Sequence, residues 1–234
     1  MQLFYFPRTS DNTIELPADE SRHLVKVLRK KVGDIVHATD GEGFLIEAKL
    51  LDENHRGVRL EKLKEEKQPE RTYEFTLAIA PVKNNDRLEW CIEKATEIGV
   101  TRIVPILCEH AERKKIKLDR LERIAISAMK QSNQFYKPQI EELTKFKDFI
   151  EERGEGERYI AHCEEDQPRR QFVSQVKSGV PTTILIGPEG DFSPDEIEQA
   201  LESGFGPVAL GNTRLRTETA AVVSATIVAS KNAF

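Results

Sequence analysis

The chain has 234 residues, 38% of them hydrophobic and 32% charged, and a formal net charge of −5. That composition supplies one large core or two small ones, and no apolar run reaches the roughly 18 residues that a membrane-spanning helix needs. The three cysteines, Cys91, Cys108 and Cys163, lie far apart with no Cys-x-x-Cys, which favours a reducing compartment over a disulfide framework or a zinc site.

The N-terminal stretch Met1–Arg8 lacks the layout of a secretory signal, so a cytoplasmic location is expected. Short β patterns follow at Leu3–Phe6, Ile35–Thr39, Phe44–Leu51 and Val58–Leu63, with Asp40-Gly41-Glu42-Gly43 as a hairpin turn between two of them. One helix is expected from about Asp19 to Lys30. From Ser21 to Lys31 the chain carries Arg22, Lys26, Arg29, Lys30 and Lys31 and no acid. On an α-helix Arg22, Lys26 and Arg29 share one face, while Leu24 and Leu28 share another. Such a face suits contacts to a nucleic-acid backbone, and equally a solvated helix surface. The polar, Pro-containing stretch Lys62–Glu70 reads as a linker.

Beyond it, strands and helices alternate. Phe75–Val82 is a strand. Asp86–Ile98 is a helix opened by Asp86-x-x-Glu89 and closed by Gly99. Arg102–Leu107 is a strand, Asp119–Gln131 a helix, Tyr159–Cys163 a strand and Gln167–Lys177 a helix. This alternation predicts an α/β domain with a mostly parallel sheet covered on both faces. A second basic run, Arg113-Lys114-Lys115 with Lys117, precedes the helix at Asp119. Phe135 and Tyr136 are candidates for stacking on an unpaired base, or for core or interface packing.

The last quarter carries the chemistry. Thr182–Ile186 is a buried strand, and Gly187-Pro188-Glu189-Gly190-Asp191-Phe192 is the turn after it. Ser193, Pro194 and Glu196 then open a helix with a capping box. The pattern repeats with the strand Pro207–Leu210, the turn Gly211-Asn212, and a helix capped by Thr217 that is apolar nearly all round from Ala220 to Val228. Two such turns on neighbouring strands face one crevice at the carboxyl edge of the sheet, where open α/β folds bind ligands. Gly187 and Gly190 permit positive φ or close approach of a ligand to the backbone. Arg214, Arg216 and Glu218 stand at its mouth, although Glu218 also complements the helix dipole. His162-Cys163 is isolated, with no ligand spacing for a metal.

Taken together, Ile186-Gly187-Pro188-Glu189-Gly190-x-Phe192-Ser193 and Leu210-Gly211-x-x-x-Leu215-Arg216-x-Glu218-Thr219-Ala220 resemble the RsmE family. Lys83-Asn84-Asn85-Asp86-Arg87-Leu88-Glu89, Glu93-Lys94-Ala95-Thr96-Glu97-Ile98-Gly99 and Gln131-Ser132-Asn133 add to the likeness. The family consists of methyltransferases of the SPOUT class that place a methyl group on N3 of a uridine in small-subunit (16S) ribosomal RNA. The resemblance implies an RNA-binding, PUA-like β-barrel domain over residues 1–70 and a trefoil-knotted methyltransferase domain over residues 71–234. The knot rests on the resemblance alone, because general topology rules disfavour one.

It further implies S-adenosyl-L-methionine as cofactor, held by Ile186, Gly187, Glu189, Gly190, Leu210, Gly211 and Leu215. Glu189 has a second reading, as a buttress of its turn through backbone N–H groups. Uridine N3 is protonated at neutral pH, so a proton acceptor is useful. Glu218 is the candidate for that role, and Arg216 for holding a phosphate or the charge developing on the uracil. Arg8, Arg22, Lys26, Arg29, Lys83 and Arg87 are the candidate RNA contacts. The expected partners are 16S rRNA, within the small ribosomal subunit, and a second copy of the chain; no metal, DNA or membrane is called for.

The sequence departs from the family pattern at Asp191, where a third Gly is usual, at Gln134, where Arg is frequent, and at Thr213-Arg214. These leave open a nonenzymatic RNA-binding or ribosome-assembly factor on the same fold. An enzyme that binds a nucleotide phosphate in this crevice is the other rival, but neither turn has a P-loop or a GxGxxG fingerprint.

Overall fold

The computed structural model of the chain describes residues 1–152, 154–164 and 169–233. It forms two compact units, Met1–Glu70 with Ile126–Lys137, and Arg71–Ala125 with Pro138–Phe234.

In the first unit β1 (Leu3–Tyr5), β2 (Thr13–Glu15), β3 (Ile35–Thr39), β4 (Phe44–Leu50) and β5 (Arg59–Lys67) form one sheet in the order β1-β3-β4-β5-β2. The two-residue period of a strand sorts the side chains. Along β4, Ile46, Ala48 and Leu50 are buried, and Lys49 is exposed. The hairpin turn forms as expected, with Gly41 and Gly43 at φ 76° and 99°. The Asp40 carboxylate ties it by accepting from the N–H of Glu42 (2.8 Å) and of Phe44 (3.2 Å).

Two expectations are corrected here, and one strand is added. Most of the Lys62–Glu70 linker is strand: β5 continues to Lys67, paired with Phe44 across the sheet. Its polar side chains reflect a solvent-facing ladder whose backbone groups are nevertheless satisfied by β4. The added strand, β2, matches no expected element and has only three residues, too short to show a period. The helix begins as α1 (Ala18–Arg22) but continues as a π-helix over His23–Val27, in which the Leu28 N–H reaches the His23 carbonyl at 3.0 Å. The 3.6-residue period behind a shared face for Arg22, Lys26 and Arg29 therefore does not hold, although all three are exposed.

The second unit contains β6 (Phe75–Ile79), α2 (Asn85–Ile98), β7 (Arg102–Leu107), α3 (Leu118–Gln131), β8 (Gln139–Ile140), β9 (Thr144–Lys145) and α4 (Phe146–Glu151). It continues with β10 (Glu157–Ala161), β11 (Arg170–Gln171), α5 (Phe172–Gln175), β12 (Thr182–Ile186), α6 (Pro194–Glu202), β13 (Gly206–Ala209) and α7 (Thr217–Asn232). The strands run in the order β11-β13-β10-β12-β6-β7-β8, with β9 also on β7, and every pair is parallel. Both faces are covered, and the alternation is legible residue by residue. Phe75, Leu77, Ile79, Ile184 and Ile186 join one core with α2 and α7. Ala78, Ala80 and Leu185 join the other with Phe146, Phe149 and Ile197.

Two local expectations fail for identifiable reasons. The cap of α2 is Asn84, whose side chain accepts from the Asp86 N–H at 2.8 Å, rather than Asp86 itself. The helix expected over Gln167–Lys177 is a single turn, α5, because Arg170 and Gln171 pair with Val208 and Ala209 as β11; Gln167 lies outside the described residues. Gly99 closes α2 at φ 116°, as its position implied.

The last residues of α3 and the loop after it belong to the first unit. The Tyr136 hydroxyl donates to the Gln68 carbonyl at 2.9 Å, and the Gly43 N–H donates to the Phe135 carbonyl at 2.9 Å. A Cβ on Gly43 would overlap the Tyr136 ring. Tyr136 is thus packed over the hairpin turn within the first unit.

Candidate functional site

The turn between β12 and α6 is held from both ends. Ser193 and Glu196 form the expected capping box, and Glu196 also accepts from the Glu109 N–H at 2.9 Å. Within the turn the Asp191 N–H donates to the Pro188 carbonyl at 2.9 Å. The positive φ falls on Asp191, at 65°, and on neither Gly187 nor Gly190. Asp is one of the few side chains that enter this left-handed region routinely, which accounts for its standing where glycine is usual. Its carboxylate adds two bonds that glycine cannot make, from the Cys163 N–H (2.7 Å) and the Phe192 N–H (2.9 Å). Gly187 serves close packing instead: a Cβ there would lie 3.1 Å from the Phe192 ring.

The second turn runs from β13 to α7. Gly211 sits at φ 135°. Arg216, not Thr217, is the N-cap, and it contributes no side-chain bond to the helix. Thr217 is the first helical residue and is buried, and its hydroxyl donates to the Gly187 carbonyl at 2.9 Å. The Arg214 guanidinium reaches the Glu189 carbonyl at 3.4 Å. The two turns are therefore bonded to each other. Glu189 does not buttress its turn, since its side chain is exposed; Asp191 and Thr217 take that role.

Between the turns lies a cavity of about 320 Å³ at the carboxyl ends of β10, β12 and β13. Of the residues expected to hold a cofactor, Ile186, Gly187, Glu189, Leu210, Gly211 and Leu215 line it. Gly190 is not in the lining and faces the His110 side chain. Arg216 lines the cavity. Glu218 is buried on the first turn of α7, outside the lining, with one carboxylate oxygen 3.8 Å from Arg87 Nε and the other without a hydrogen-bond partner among the described residues. Burial, and secondarily the charge of Glu218, push the nearby Cys91 thiol up to about 12, so it is no nucleophile.

One lining residue went unrecognised. His162, directly after β10, is 4% exposed, and neither ring nitrogen has a hydrogen-bond partner among the described residues. Burial, with Arg169 nearby, holds its pKa below the ordinary histidine range, so the ring is neutral at pH 7. A polar residue at the carboxyl end of a strand beside the crevice was the signal that could have found it.

The basic candidates divide by partner. Arg8 pairs with Asp40 at 2.8 Å and Glu65 at 2.5 Å and lies 3.9 Å over the Phe44 ring, so its charge is engaged in holding the first unit together. Lys83 pairs with Glu112 at 2.7 Å, and Arg87 approaches Glu218. Arg113 donates to the carbonyls of Val82 and Lys83. Arg22, Lys26 and Arg29 are exposed and have no ion-pair partner among the described residues.

Residues 69–229 match the family model of an RNA methyltransferase domain, and residues 16–63 match that of an RNA methyltransferase PUA domain. Ribosomal RNA small subunit methyltransferase E of Rickettsia conorii is 32% identical over 229 residues, spanning 95% of this chain and 92% of that protein. Among solved structures, a "probable rRNA-methyltransferase" from Porphyromonas gingivalis is 41% identical, with a TM-score of 0.91 over 100% of this chain and 99% of that one. Ribosomal RNA small subunit methyltransferase E of Neisseria gonorrhoeae, solved bound to S-adenosyl methionine, is 29% identical, with a TM-score of 0.81 over 96% of this chain and 95% of that one. No helix among the described residues is long and apolar enough to cross a membrane.

Proposed function

This chain belongs to the ribosomal RNA small subunit methyltransferase E family, and from that premise we propose that it methylates N3 of one uridine in 16S rRNA with S-adenosyl-L-methionine as donor. The observation that carries the proposal is the cavity between two mutually bonded turns at the carboxyl edge of a parallel sheet. Its residues suit that cofactor. The space beside Gly211 is open to an adenine edge, and the unpartnered ring nitrogens of His162 offer polar contacts inside an otherwise largely apolar wall. The likeness to a relative solved with S-adenosyl methionine supports the same assignment.

The cofactor supplies a methyl group on a sulfonium, already an electrophile, so the protein's work is to position the uracil and accept a proton. Glu218 is the proposed acceptor of the N3 proton, through the carboxylate oxygen that has no other partner. Arg216, exposed at the mouth, holds a phosphate or the charge developing on the uracil carbonyls. Glu189, in the lining, completes the cofactor side of the turn, and Gly190, outside the lining, packs it against His110.

The RNA contacts of the first unit centre on Arg22, Lys26 and Arg29, whose charges are not neutralised by acids. Arg8, Lys83 and Arg87 enter only where RNA displaces their carboxylate partners. The domain assignment, residues 1–70 for RNA binding and 71–234 for methyl transfer, the knot, the cytoplasmic location and a homodimer form part of the same reading. Half-exposed Val222, Val223 and Ile227 on α7 and Trp90, 44% exposed on α2, favour the homodimer.

The test is methyl transfer from labelled S-adenosylmethionine to small ribosomal subunits from cells lacking the homologous enzyme, with free rRNA in parallel. Label on N3 of one uridine is the expected result. No transfer and no cofactor binding would leave the RNA-binding factor as the better reading.

A further inference from the structure

We propose that His162 is a specificity contact for the nucleoside part of the cofactor, its imidazole exchanging hydrogen bonds with the ribose hydroxyls. The inference rests on the cofactor reading above and deepens it. Four observations meet at this residue. It lies in the wall of the cavity, 4% exposed. Both ring nitrogens are buried without a hydrogen-bond partner among the described residues. Its backbone is pinned on both sides, because the Arg169 guanidinium donates to the His162 carbonyl and the next residue's N–H donates to Asp191 at 2.7 Å. And the surroundings keep the ring neutral, burial first and Arg169 second.

A buried polar group without a partner is costly, and these backbone bonds keep the residue in the wall of the cavity. A ligand in the cavity relieves that cost only if it matches the ring's chemistry. Neutral imidazole offers one donor and one acceptor. A carboxylate only accepts and an ammonium only donates, so each satisfies a single nitrogen. A hydroxyl does both, and a vicinal diol serves either tautomer. Arg169, Arg214 and Arg216 in the same lining already provide the cations that suit the carboxylate of the amino-acid tail. The adenine edge, which also donates and accepts, is met by backbone groups in the cofactor reading above, so the uncharged ring falls to the hydroxyl-bearing part of the ligand.

The experiment is a cycle by titration calorimetry on the full chain, using S-adenosylhomocysteine and its 2′-deoxy and 3′-deoxy analogues against wild type, His162→Phe and His162→Asn. Phenylalanine keeps the ring and loses both polar atoms. Asparagine keeps a donor and an acceptor, and thermal melting of each variant checks that the fold is retained. Loss of one neutral hydrogen bond predicts a roughly 3- to 10-fold weaker affinity for His162→Phe, partial rescue in His162→Asn, and a deoxy penalty in the wild type that vanishes in His162→Phe. Equal affinities of wild type and His162→Phe would overturn the inference while leaving the cofactor reading intact. A deoxy penalty of the same size in both would overturn it too. A wild type that binds no S-adenosylhomocysteine would overturn the cofactor reading, and this inference with it.

Discussion

Replacing Asp191 separates two contributions that glycine and aspartate make in different proportions. Its carboxylate accepts two backbone N–H bonds. Bonds to a charged group contribute about 1.5–3 kcal/mol each when buried, and about 1 kcal/mol each is a fair figure at this half-exposed turn. Any substitution that removes the carboxylate thus loses about 2 kcal/mol. Alanine keeps a Cβ at φ 65°, as aspartate does, and with it the strain of about 1–2 kcal/mol that a Cβ meets there. Glycine escapes that strain but loses about 0.4–1 kcal/mol through the greater freedom of the unfolded chain. Asp191→Ala is therefore expected to destabilise by about 2 kcal/mol, Asp191→Gly by nearly 1 kcal/mol less because it sheds the strain, and Asp191→Asn least, since asparagine keeps an acceptor and tolerates the conformation. Urea unfolding followed by the fluorescence of Trp90, the single tryptophan, reads the unit that contains the turn. Equal midpoints for the alanine and glycine variants would refute the backbone argument. A glycine variant as stable as the wild type would refute the role of the carboxylate.

Thr217→Val, nearly isosteric, leaves the Gly187 carbonyl without its donor; it is expected to cost about 1–2 kcal/mol and to weaken cofactor binding, measured by melting and calorimetry. Arg8→Ala strands the fully buried Asp40 carboxylate and should cost about 2–3 kcal/mol, less than a fully buried pair because Arg8 is itself partly exposed; circular dichroism in urea checks it. The same arginine governs an acid limb. Burial alone would raise Glu65, but the hydrogen bond from Arg8 and the charge of Lys62 hold it below its ordinary 4.5, so that stability is present above pH 4.5 and is lost as pH falls through the lower folded value. Arg8→Ala should flatten this limb. Of the three thiols only Cys163 is exposed, while Cys91 and Cys108 are buried. A thiol reagent should therefore modify the native protein once, slowly at neutral pH because burial and then Asp191 raise the Cys163 pKa, and S-adenosylhomocysteine should protect it.

The strands β3, β7 and β12 and the capped helix α6 were legible because each bears a local signal: a short apolar run, a Gly-containing turn or a Ser-x-x-Glu box acts within a few residues. The parallel sheet followed from the alternation of strands and helices. The crevice was legible as two turns, since Ile186, Gly187, Leu210, Gly211 and Leu215 sit beside the strand ends that the pattern located. What failed was either too short to show a period, as with β2, β8 and β11, or a solvent-facing extension with no apolar alternation, as with the end of β5 on β4.

Sequence alone determined the family, the element order and the two turns that make the crevice, because these depend on residue types at close spacing. Tertiary structure decided which side chains are available for chemistry. Arg8 reads as a free cation until Asp40 and Glu65 are found beside it. Thr217 reads as a helix cap until its hydroxyl is seen to join the two turns. His162 reads as an isolated histidine until both of its nitrogens are found buried, unpartnered and in the cavity wall. The reason is the same in each case. A charge or a hydrogen-bonding group is spent or spared by partners brought up by the fold, often from tens of residues away, and no local pattern records who those partners are.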